Sequence, residues 1–326
     1  MTGMTDRIRQ LQCGIAAWLI IVCSPFRLCQ AAPPMDIVVE RYAPQVTHDC
    51  VHILFHDKFE LLTADSRFMW RASNRDSFQT SPLDGFQDAH SAAYHPRLKL
   101  YFATDTTNHR MFSFRDPRKN EKAKSVGTIA GLKLDRPHDV VVDDDGWVYV
   151  INPNPSTTVF RFRDLGVDES ALDLSEHLTY SRALSVVKNR LYVVGSSIGK
   201  IVEVADFANQ KFTVHESYGK KKDSPAGSWT TTGLVPNDAD FFAGAWYVTN
   251  YFCPEYANKT DHNEHKLIRF KTWDDFRAGH WDDLSSLLPD KLVPYYLTPH
   301  DGALYIATFE HEDPKHPGGL WRLRKK

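Results

Sequence analysis

Short apolar runs alternate with polar turns along most of the chain, and the clearest copy of this pattern spans residues 135–163. Residues 140–142 form a β-branched run, and residues 147–151 form a second apolar run after a turn at residues 144–146. A third run follows at residues 159–162. Such runs predict short strands joined by hairpin turns. Three antiparallel strands in close succession are typical of one blade of a β-propeller, whose sheets pack face to face around an axis.

The same pattern recurs along the chain, with a leucine or tyrosine at the matching place in its second strand. These anchor residues are Leu61, Tyr101, Tyr149, Tyr192, Tyr247 and Tyr305. They follow one another at intervals of 40, 48, 43, 55 and 58 residues, close to the repeat lengths of propeller blades. One blade cannot bury both of its faces alone, so the anchors predict an all-β, six-bladed β-propeller.

The two ends of this pattern complement each other. Residues 37–41 predict a strand without a blade of its own, and the predicted sixth blade is one strand short at Lys326. We expect the N-terminal strand to complete the last blade as its outer strand, because this pairing closes the ring and removes open sheet edges.

Two of the predicted blades resemble a known repeat. Residues 135–151 and residues 106–114 are similar to the NHL repeat, and Pro236, Asn237 and Asp238 resemble the inner-strand start of the senescence-marker/gluconolactonase propellers. The resemblance implies a six-bladed propeller. It leaves the chemistry open, because the fold serves lactonases, an amidating lyase and binding scaffolds.

The first residues of the chain differ from the rest. Arg7 and Arg9 precede an apolar run at residues 13–26, and Cys29 and Ala31 provide small residues for a cleavage site. This order predicts a signal peptide over residues 1–31 and a secreted or periplasmic protein, with a single propeller domain over residues 33–326. The run is shorter than the roughly 20 residues of a membrane span, so we expect no stable span after cleavage.

The charge and composition of the chain bear on which kinds of partner it could bind. The formal net charge is −2 and the basic residues are spread along the chain, which argues against nucleic acid. Cys50 and Cys253 remain after cleavage, and the sequence leaves open whether they pair. Long polar loops at residues 252–266 and 310–319 are expected to overhang the channel mouth.

The start of each predicted inner strand carries polar residues of varied chemistry. We expect His90, His138, Arg182 and Tyr295 to be catalytic, Asp238 and Tyr296 to bind the substrate, and Asp139 and Asn237 to bind a metal ion. Identical solvating residues would suffice for a water-filled channel, whereas imidazole, guanidinium, carboxylate, amide and phenol groups together favour a site.

Two metal ions are compatible with this set. The gluconolactonase resemblance implies Ca²⁺ on Asn237 and Asp139, which supply oxygen ligands. A second possibility is Zn²⁺ on His90, His138 and a first-blade histidine, as the resemblance to the amidating lyase implies. His48, His52 and His56 are the alternatives for that first-blade ligand. We favour Ca²⁺ over Zn²⁺ as the divalent cofactor.

The sequence therefore predicts a metal-assisted hydrolase or lyase that acts on a small organic substrate in the central channel. Arg182 would orient an anionic or carbonyl group, and His138 or His90 would move the proton. The alternative is a non-catalytic propeller that binds a ligand, or a protein partner, on the same channel face. The substrate cannot be named from these residues.

Overall fold

A computed structural model describes seven stretches of the chain: residues 36–73, 75–196, 199–218, 234–251, 265–289, 292–310 and 318–326. The predicted signal peptide, Cys253 and most of the two predicted long loops lie outside these residues. In the part of the chain that the structure describes, no helix is long and apolar enough to cross a membrane.

The chain begins with strand β1 (Ile37–Tyr42) and continues into six antiparallel sheets. Blade one comprises β2 (Cys50–His56), β3 (Phe59–Ala64), β4 (Arg67–Ala72) and β5 (Gln79–Thr80). Blade two comprises β6 (Ala89–His95), β7 (Leu100–Asp105), β8 (Arg110–Phe114) and β9 (Lys124–Val126), and a small hairpin of β10 (Thr128–Ile129) and β11 (Leu132–Lys133) follows it. Blade three comprises β12 (Val140–Val142), β13 (Val148–Asn152), β14 (Thr158–Phe162) and β15 (Ser170–Asp173).

The second half of the ring repeats this arrangement. Blade four comprises β16 (Ser181–Val187), β17 (Arg190–Gly195), β18 (Lys200–Asp206) and β19 (Lys211–Glu216). Blade five comprises β20 (Pro236–Phe242), β21 (Ala245–Asn250), β22 (Leu267–Phe270) and β23 (Asp282–Asp283), with helix α1 (Trp273–Ala278) between its last two strands. A short 3₁₀ turn (Ser285–Leu287) leads to blade six, which comprises β24 (Leu292–His300), β25 (Ala303–Glu310), β26 (Gly319–Lys325) and β1.

The first strands of the six blades form the inner ring. Each contacts the first strand of the next blade, and β24 of the last blade contacts β2 of the first. Strand β1 pairs antiparallel with β26, from Ile37 opposite Lys325 to Tyr42 opposite Leu320. The prediction of a six-bladed propeller closed by its N-terminal strand is thus confirmed.

All six anchor residues lie on the second strands and are buried. Tight turns join the inner strands to these second strands. In blade four both turn residues, Lys188 and Asn189, have positive φ angles of 51° and 62°. In blade five the turn residues Ala243 and Gly244 also have positive φ angles, of 50° and 87°. Two-residue turns with positive φ angles match the twist of the paired strands. Each second strand therefore lies directly beside its inner strand, one step further from the axis.

Polar residues at the ends of the second strands hold the segments that lead into the inner strands. Asp105 accepts hydrogen bonds from the backbone N–H groups of Gln87 and Asp88 at 2.7 and 3.0 Å. Asn152 accepts one from the N–H of Asp135 at 2.6 Å. These bonds fix the start of the inner strand, which is where the candidate residues lie.

Candidate functional site

The inner strands are irregular where they begin. Pairing between the first and second strands shifts register between Cys50 and His52, Ala89 and Ala92, Ser181 and Ala183, Pro236 and Asp238, and Pro294 and Leu297. The residues left out of the pairing are Val51, His90 with Ser91, Arg182, Asn237, and Tyr295 with Tyr296. A β-bulge frees a residue from the ladder and changes the direction of its side chain. Five candidate residues, His90, Arg182, Asn237, Tyr295 and Tyr296, therefore occupy bulges, whereas His138 and Asp139 precede β12 and Asp238 pairs with Thr249.

We call the resulting group the axial cluster. Its members are His52, His90, His138, Tyr180, Arg182, Tyr251, Tyr295 and Tyr296, and all six blades contribute to it. The rings of His90 and His138 lie 4.8 Å apart, and those of Tyr295 and Tyr296 lie 4.7 Å apart. The rings of His90 and Tyr295 lie 5.6 Å apart, so side chains from non-adjacent blades meet at the axis.

His90 and Tyr295 form a phenol–imidazole pair between blades two and six. The Nδ1 atom of His90 lies 2.8 Å from the carbonyl oxygen of His138. A carbonyl oxygen only accepts hydrogen bonds, so Nδ1 of His90 carries the ring proton. Its Nε2 atom is then an acceptor, and the Tyr295 hydroxyl lies 3.2 Å from it.

His138 and Tyr180 repeat this arrangement. The Nδ1 atom of His138 lies 2.6 Å from the carbonyl oxygen of Arg136, so it donates there. The Tyr180 hydroxyl donates to Nε2 of His138 at 2.8 Å. Sequence reasoning missed Tyr180 and Tyr251, because both lie outside the strand positions counted from the anchors. An aromatic residue two places before Arg182 was the available signal.

Burial makes both imidazoles neutral. His90 and His138 are 8% and 5% exposed. Burial lowers the pKa of His90 to about 4. It also holds the pKa of His138 well below its ordinary value, and the charges of His90 and Arg182 add to this effect. At neutral pH each ring is therefore neutral, and its Nε2 atom accepts hydrogen bonds but binds a proton only weakly.

Arg182 supplies a positive charge beside the phenols. Its Nη1 atom donates to the Tyr295 hydroxyl at 3.4 Å. The guanidinium carbon lies 5.4, 4.7 and 5.8 Å from the ring centres of Tyr180, Tyr251 and Tyr295. Burial raises the pKa of Tyr295 to about 12, and the Arg182 charge acts in the opposite direction. The Tyr295 phenol is therefore protonated at rest and faces a charge that favours its anion.

Tyr296 has a supporting position. Its hydroxyl donates to the carbonyl oxygen of Arg182 at 2.6 Å, and its side chain packs edge-on against His52 at 5.7 Å. Tyr296 is 2% exposed. Its single proton is thus used to hold the backbone of Arg182, and substrate binding by Tyr296 stays a prediction.

The buried carboxylates tie inner strands together. Asp139 accepts hydrogen bonds from the Ser91 hydroxyl at 2.5 Å and from the N–H groups of Val140 and Leu184, both at 2.8 Å. Burial raises the pKa of Asp139 to about 7. Both oxygen atoms of this carboxylate face donors from the protein itself.

Asp238 has the same arrangement two blades further on. It accepts hydrogen bonds from the N–H groups of Ala239 and Leu297, both at 2.7 Å. Burial, followed by the charges of Asp240 and Asp139, raises its pKa well above the ordinary value. Asp139 and Asp238 therefore both join neighbouring blades.

Asn237 differs from these carboxylates. Its amide nitrogen donates to the carbonyl oxygen of Pro294 at 2.8 Å, which identifies the other atom as the oxygen. That Oδ1 atom is buried and has no hydrogen-bond partner among the described residues. Asn237 is the only one of the two predicted metal ligands with a free oxygen.

The described residues show no ready cluster of metal ligands at the axis. They contain no group of three or more His, Cys, Asp or Glu side chains arranged to hold a metal ion. Asp139 already accepts three protein donors, and among the first-blade histidines only His52 reaches the axial cluster. His48 pairs with Asp65 and His56 bonds to Tyr101. Metal binding stays a prediction, and no step below passes through a metal.

Comparison with solved structures shows which known proteins share this fold. No family model and no curated protein matches the sequence. A solved gluconolactonase-like structure aligns with a TM-score of 0.61 and 12% identity, over 90% of this chain and 93% of that one. Streptogramin B lyase aligns with a TM-score of 0.58 and 11% identity, over 91% of this chain and 100% of that one.

A third match comes from a complex of two proteins. A chain of the nidogen/laminin complex aligns with a TM-score of 0.52 and 14% identity, over 69% of this chain and 76% of that one. Identities this low show the fold and nothing finer. The chain is a six-bladed β-propeller, similar in fold to a gluconolactonase-like protein and to streptogramin B lyase.

Proposed function

We propose that this propeller is an enzyme that acts on a small organic substrate at the axial cluster, by hydrolase or lyase chemistry. One observation carries the proposal. The Tyr295 hydroxyl lies between a guanidinium donor on Arg182, at 3.4 Å, and a neutral imidazole acceptor on His90, at 3.2 Å. The imidazole holds the phenol in place by accepting its hydrogen bond, and the guanidinium favours the phenolate, so we assign Tyr295 as the acid–base group.

We place the substrate at the more exposed side of the cluster. Tyr180, Arg182 and Tyr251 are only partly buried, whereas Tyr295 is 4% exposed. Water is therefore scarce at Tyr295, and charge interactions there are stronger than at the surface. A substrate would meet Arg182 first, through a carbonyl or anionic group, and would present its reacting atom to Tyr295. Export of the enzyme is part of this proposal and depends on the leader-like residues 1–31.

A binding module is the second candidate. Tyr180, Tyr251 and Arg182 stand at the more exposed side of the cluster, and tyrosine and arginine are the residue types that dominate binding hot spots. The same residues could hold a ligand or a protein partner without chemistry. This candidate requires no proton transfer by Tyr295.

A comparison of Tyr295→Phe with wild type separates the two candidates. We would follow hydrolysis of para-nitrophenyl acetate and of glucono-δ-lactone, and proton exchange of pyruvate and hydroxyacetone, with and without a chelator. Wild type should turn over at least one class. Tyr295→Phe should lower kcat/KM about 100-fold or more, the range expected for a positioned acid–base group.

Tyr101→Phe is the matched control. Its hydroxyl also bonds to a histidine, His56. That pair lies where inner strand β2 ends and second strand β7 begins, away from the bulges at the start of the inner strands. The activity of Tyr101→Phe should equal that of wild type. Equal activity of Tyr295→Phe and wild type, or no turnover of any probe, contradicts the enzyme. Stabilisation of wild type by an unreacted probe would then favour the binding module.

A further inference from the structure

The second phenol–imidazole pair has no role in the function proposed so far. Tyr180 and His138 match Tyr295 and His90 atom for atom: Nδ1 of each histidine faces a backbone carbonyl, and Nε2 faces a phenol. The two phenol rings come from blades four and six. Both lie within 6 Å of the same guanidinium, at 5.4 and 5.8 Å.

The other polar groups near the axis are less suited to hydrolysis. Ser91 is fully buried and donates its proton to Asp139, so its oxygen is not placed as a nucleophile. Asp139 and Asp238 accept backbone N–H groups. Among the described residues, the chemistry that remains at the axis is proton transfer by phenols and imidazoles beside a positive charge. That combination suits formation of an enolate, whose negative oxygen needs a cation and a proton donor.

We infer that Tyr180 is a second catalytic residue, which acts as the acid opposite Tyr295, and that the substrate class is a carbonyl compound with a hydrogen on the adjacent carbon. This inference rests on the proposed function and specifies its lyase form, in which removal of the hydrogen next to the carbonyl is the first step. His138 is a positioning residue that keeps the Tyr180 hydroxyl in place. The geometry that carries it is the placement of two phenols on different blades around Arg182.

The step balances in atoms and charge. Tyr295 first gives its proton to solvent, and its phenolate, which Arg182 stabilises, takes a proton from the carbon next to the carbonyl. The electron pair of the broken C–H bond becomes the C=C bond of the enol. The carbonyl π pair moves to oxygen, which takes the proton of Tyr180 while Arg182 lies beside it. The reverse step in heavy water returns deuterium to the carbon, so no oxidant or other reactant is required.

The competing explanation is that Tyr180 only packs against His138. A structural role of this kind would change stability and KM, whereas an acid changes kcat and the pH profile. We would measure deuterium incorporation into hydroxyacetone and pyruvate by proton NMR in heavy water. The proteins are wild type, Tyr180→Phe, His138→Gln and the control Tyr101→Phe, each with a thermal melt to show that it is folded.

We expect wild type and Tyr101→Phe to exchange at least one probe faster than buffer. Tyr180→Phe should lower kcat about 100-fold, with KM within about threefold, and should remove one limb of the pH profile. His138→Gln keeps an acceptor for the Tyr180 hydroxyl, so its kcat should fall by only about tenfold. This pattern supports Tyr180 as the acid.

Three other outcomes overturn the inference. Tyr180→Phe that exchanges like wild type shows that Tyr180 is not the acid, and a change in KM alone shows a packing role. Wild type that exchanges neither probe but hydrolyses the ester or the lactone overturns the carbonyl substrate class and leaves the proposed function standing. Wild type that turns over no probe at all overturns both.

Discussion

At the scale of single residues, the hydroxyl groups of the axial tyrosines separate into one that donates to the backbone and two that face imidazole nitrogens. Tyr296 belongs to the first kind, because its hydroxyl donates to the carbonyl of Arg182. Tyr180 and Tyr295 belong to the second kind, because their hydroxyls face imidazole nitrogens. The first kind stabilises the site, and the second kind is available for chemistry.

Removal of the Tyr296 hydroxyl should therefore destabilise the protein. Tyr296→Phe leaves a buried carbonyl of Arg182 without its donor, which costs about 1–3 kcal/mol of unfolding free energy. Chemical denaturation measures this change. Tyr218→Phe is the control, because Tyr218 is 61% exposed and should change by less than about 0.5 kcal/mol. Equal unfolding free energies for the two variants would show that Tyr296 has no supporting role.

At the scale of elements, buried carboxylates join the inner strands of different blades. Asp139 connects blade three to β6 through Ser91 and to β16 through Leu184. Asp238 connects β20 to β24 through Leu297. Each carboxylate thus holds strands that come from different sheets, and it does so next to the bulges that position the cluster.

Asp139 should make stability depend on pH. Its folded-state pKa of about 7 lies above the ordinary value of 3.8, so the folded state holds the proton more tightly. Its contribution to the unfolding free energy is therefore largest at low pH and falls as pH rises from about 4 to 7. Asp238 and Asp240 lie nearby and shift in the same direction.

The Asp139→Asn variant isolates this contribution, because Asp238 and Asp240 remain in both proteins. Denaturation of both proteins across this pH range should show the advantage of wild type shrinking as pH rises. An advantage that stays constant, or grows, would mean that burial does not dominate at Asp139.

At the scale of the whole molecule, the ring closes between the first and last blades. Tyr42 of β1 donates to Glu60 at 2.8 Å, and Arg71 donates to the same carboxylate at 2.8 Å. The side chains of Arg71 and Glu60 are 8% and 5% exposed. A buried ion pair and a phenol therefore hold the N-terminal strand against blade one.

Loss of Glu60 should open this seam. Glu60→Ala leaves the Arg71 charge buried without its carboxylate, which typically costs about 3–5 kcal/mol. Arg190→Ala is the control, because Arg190 is 56% exposed in its pair with Glu203 and should cost less than about 1 kcal/mol. Thermal and chemical denaturation measure both. A loss at Glu60 no larger than at Arg190 would contradict closure through this contact.

The sequence predicted the ring because the features that build it are local. Apolar runs, turn residues and a buried tyrosine or leucine in each second strand recur at blade spacing. Residues 37–41 lacked a partner in sequence, and a ring offers one place for them. Short polar outer strands such as β5 and β23 carry little pattern of their own, so they were not apparent.

The site was predicted only in part, because its geometry depends on contacts between blades. Counting from the anchors found His90, His138, Arg182, Tyr295 and Tyr296. It did not find Tyr180, which lies before its strand. It could not show that the carboxylates of Asp139 and Asp238 face N–H groups of the next blades, because that register is set by packing of the whole ring.

The most direct test of this account is the protonation of the two axial histidines. We would record nitrogen NMR spectra of histidine-labelled protein between about pH 5 and 8, the range in which an ordinary histidine changes its charge. His90 and His138 should stay neutral throughout, with the proton on Nδ1. Tyr295→Phe should move only the Nε2 signal of His90, and Tyr180→Phe only that of His138. An imidazolium at neutral pH, or a proton on Nε2 of either ring, would contradict the two phenol–imidazole pairs on which the proposed chemistry depends.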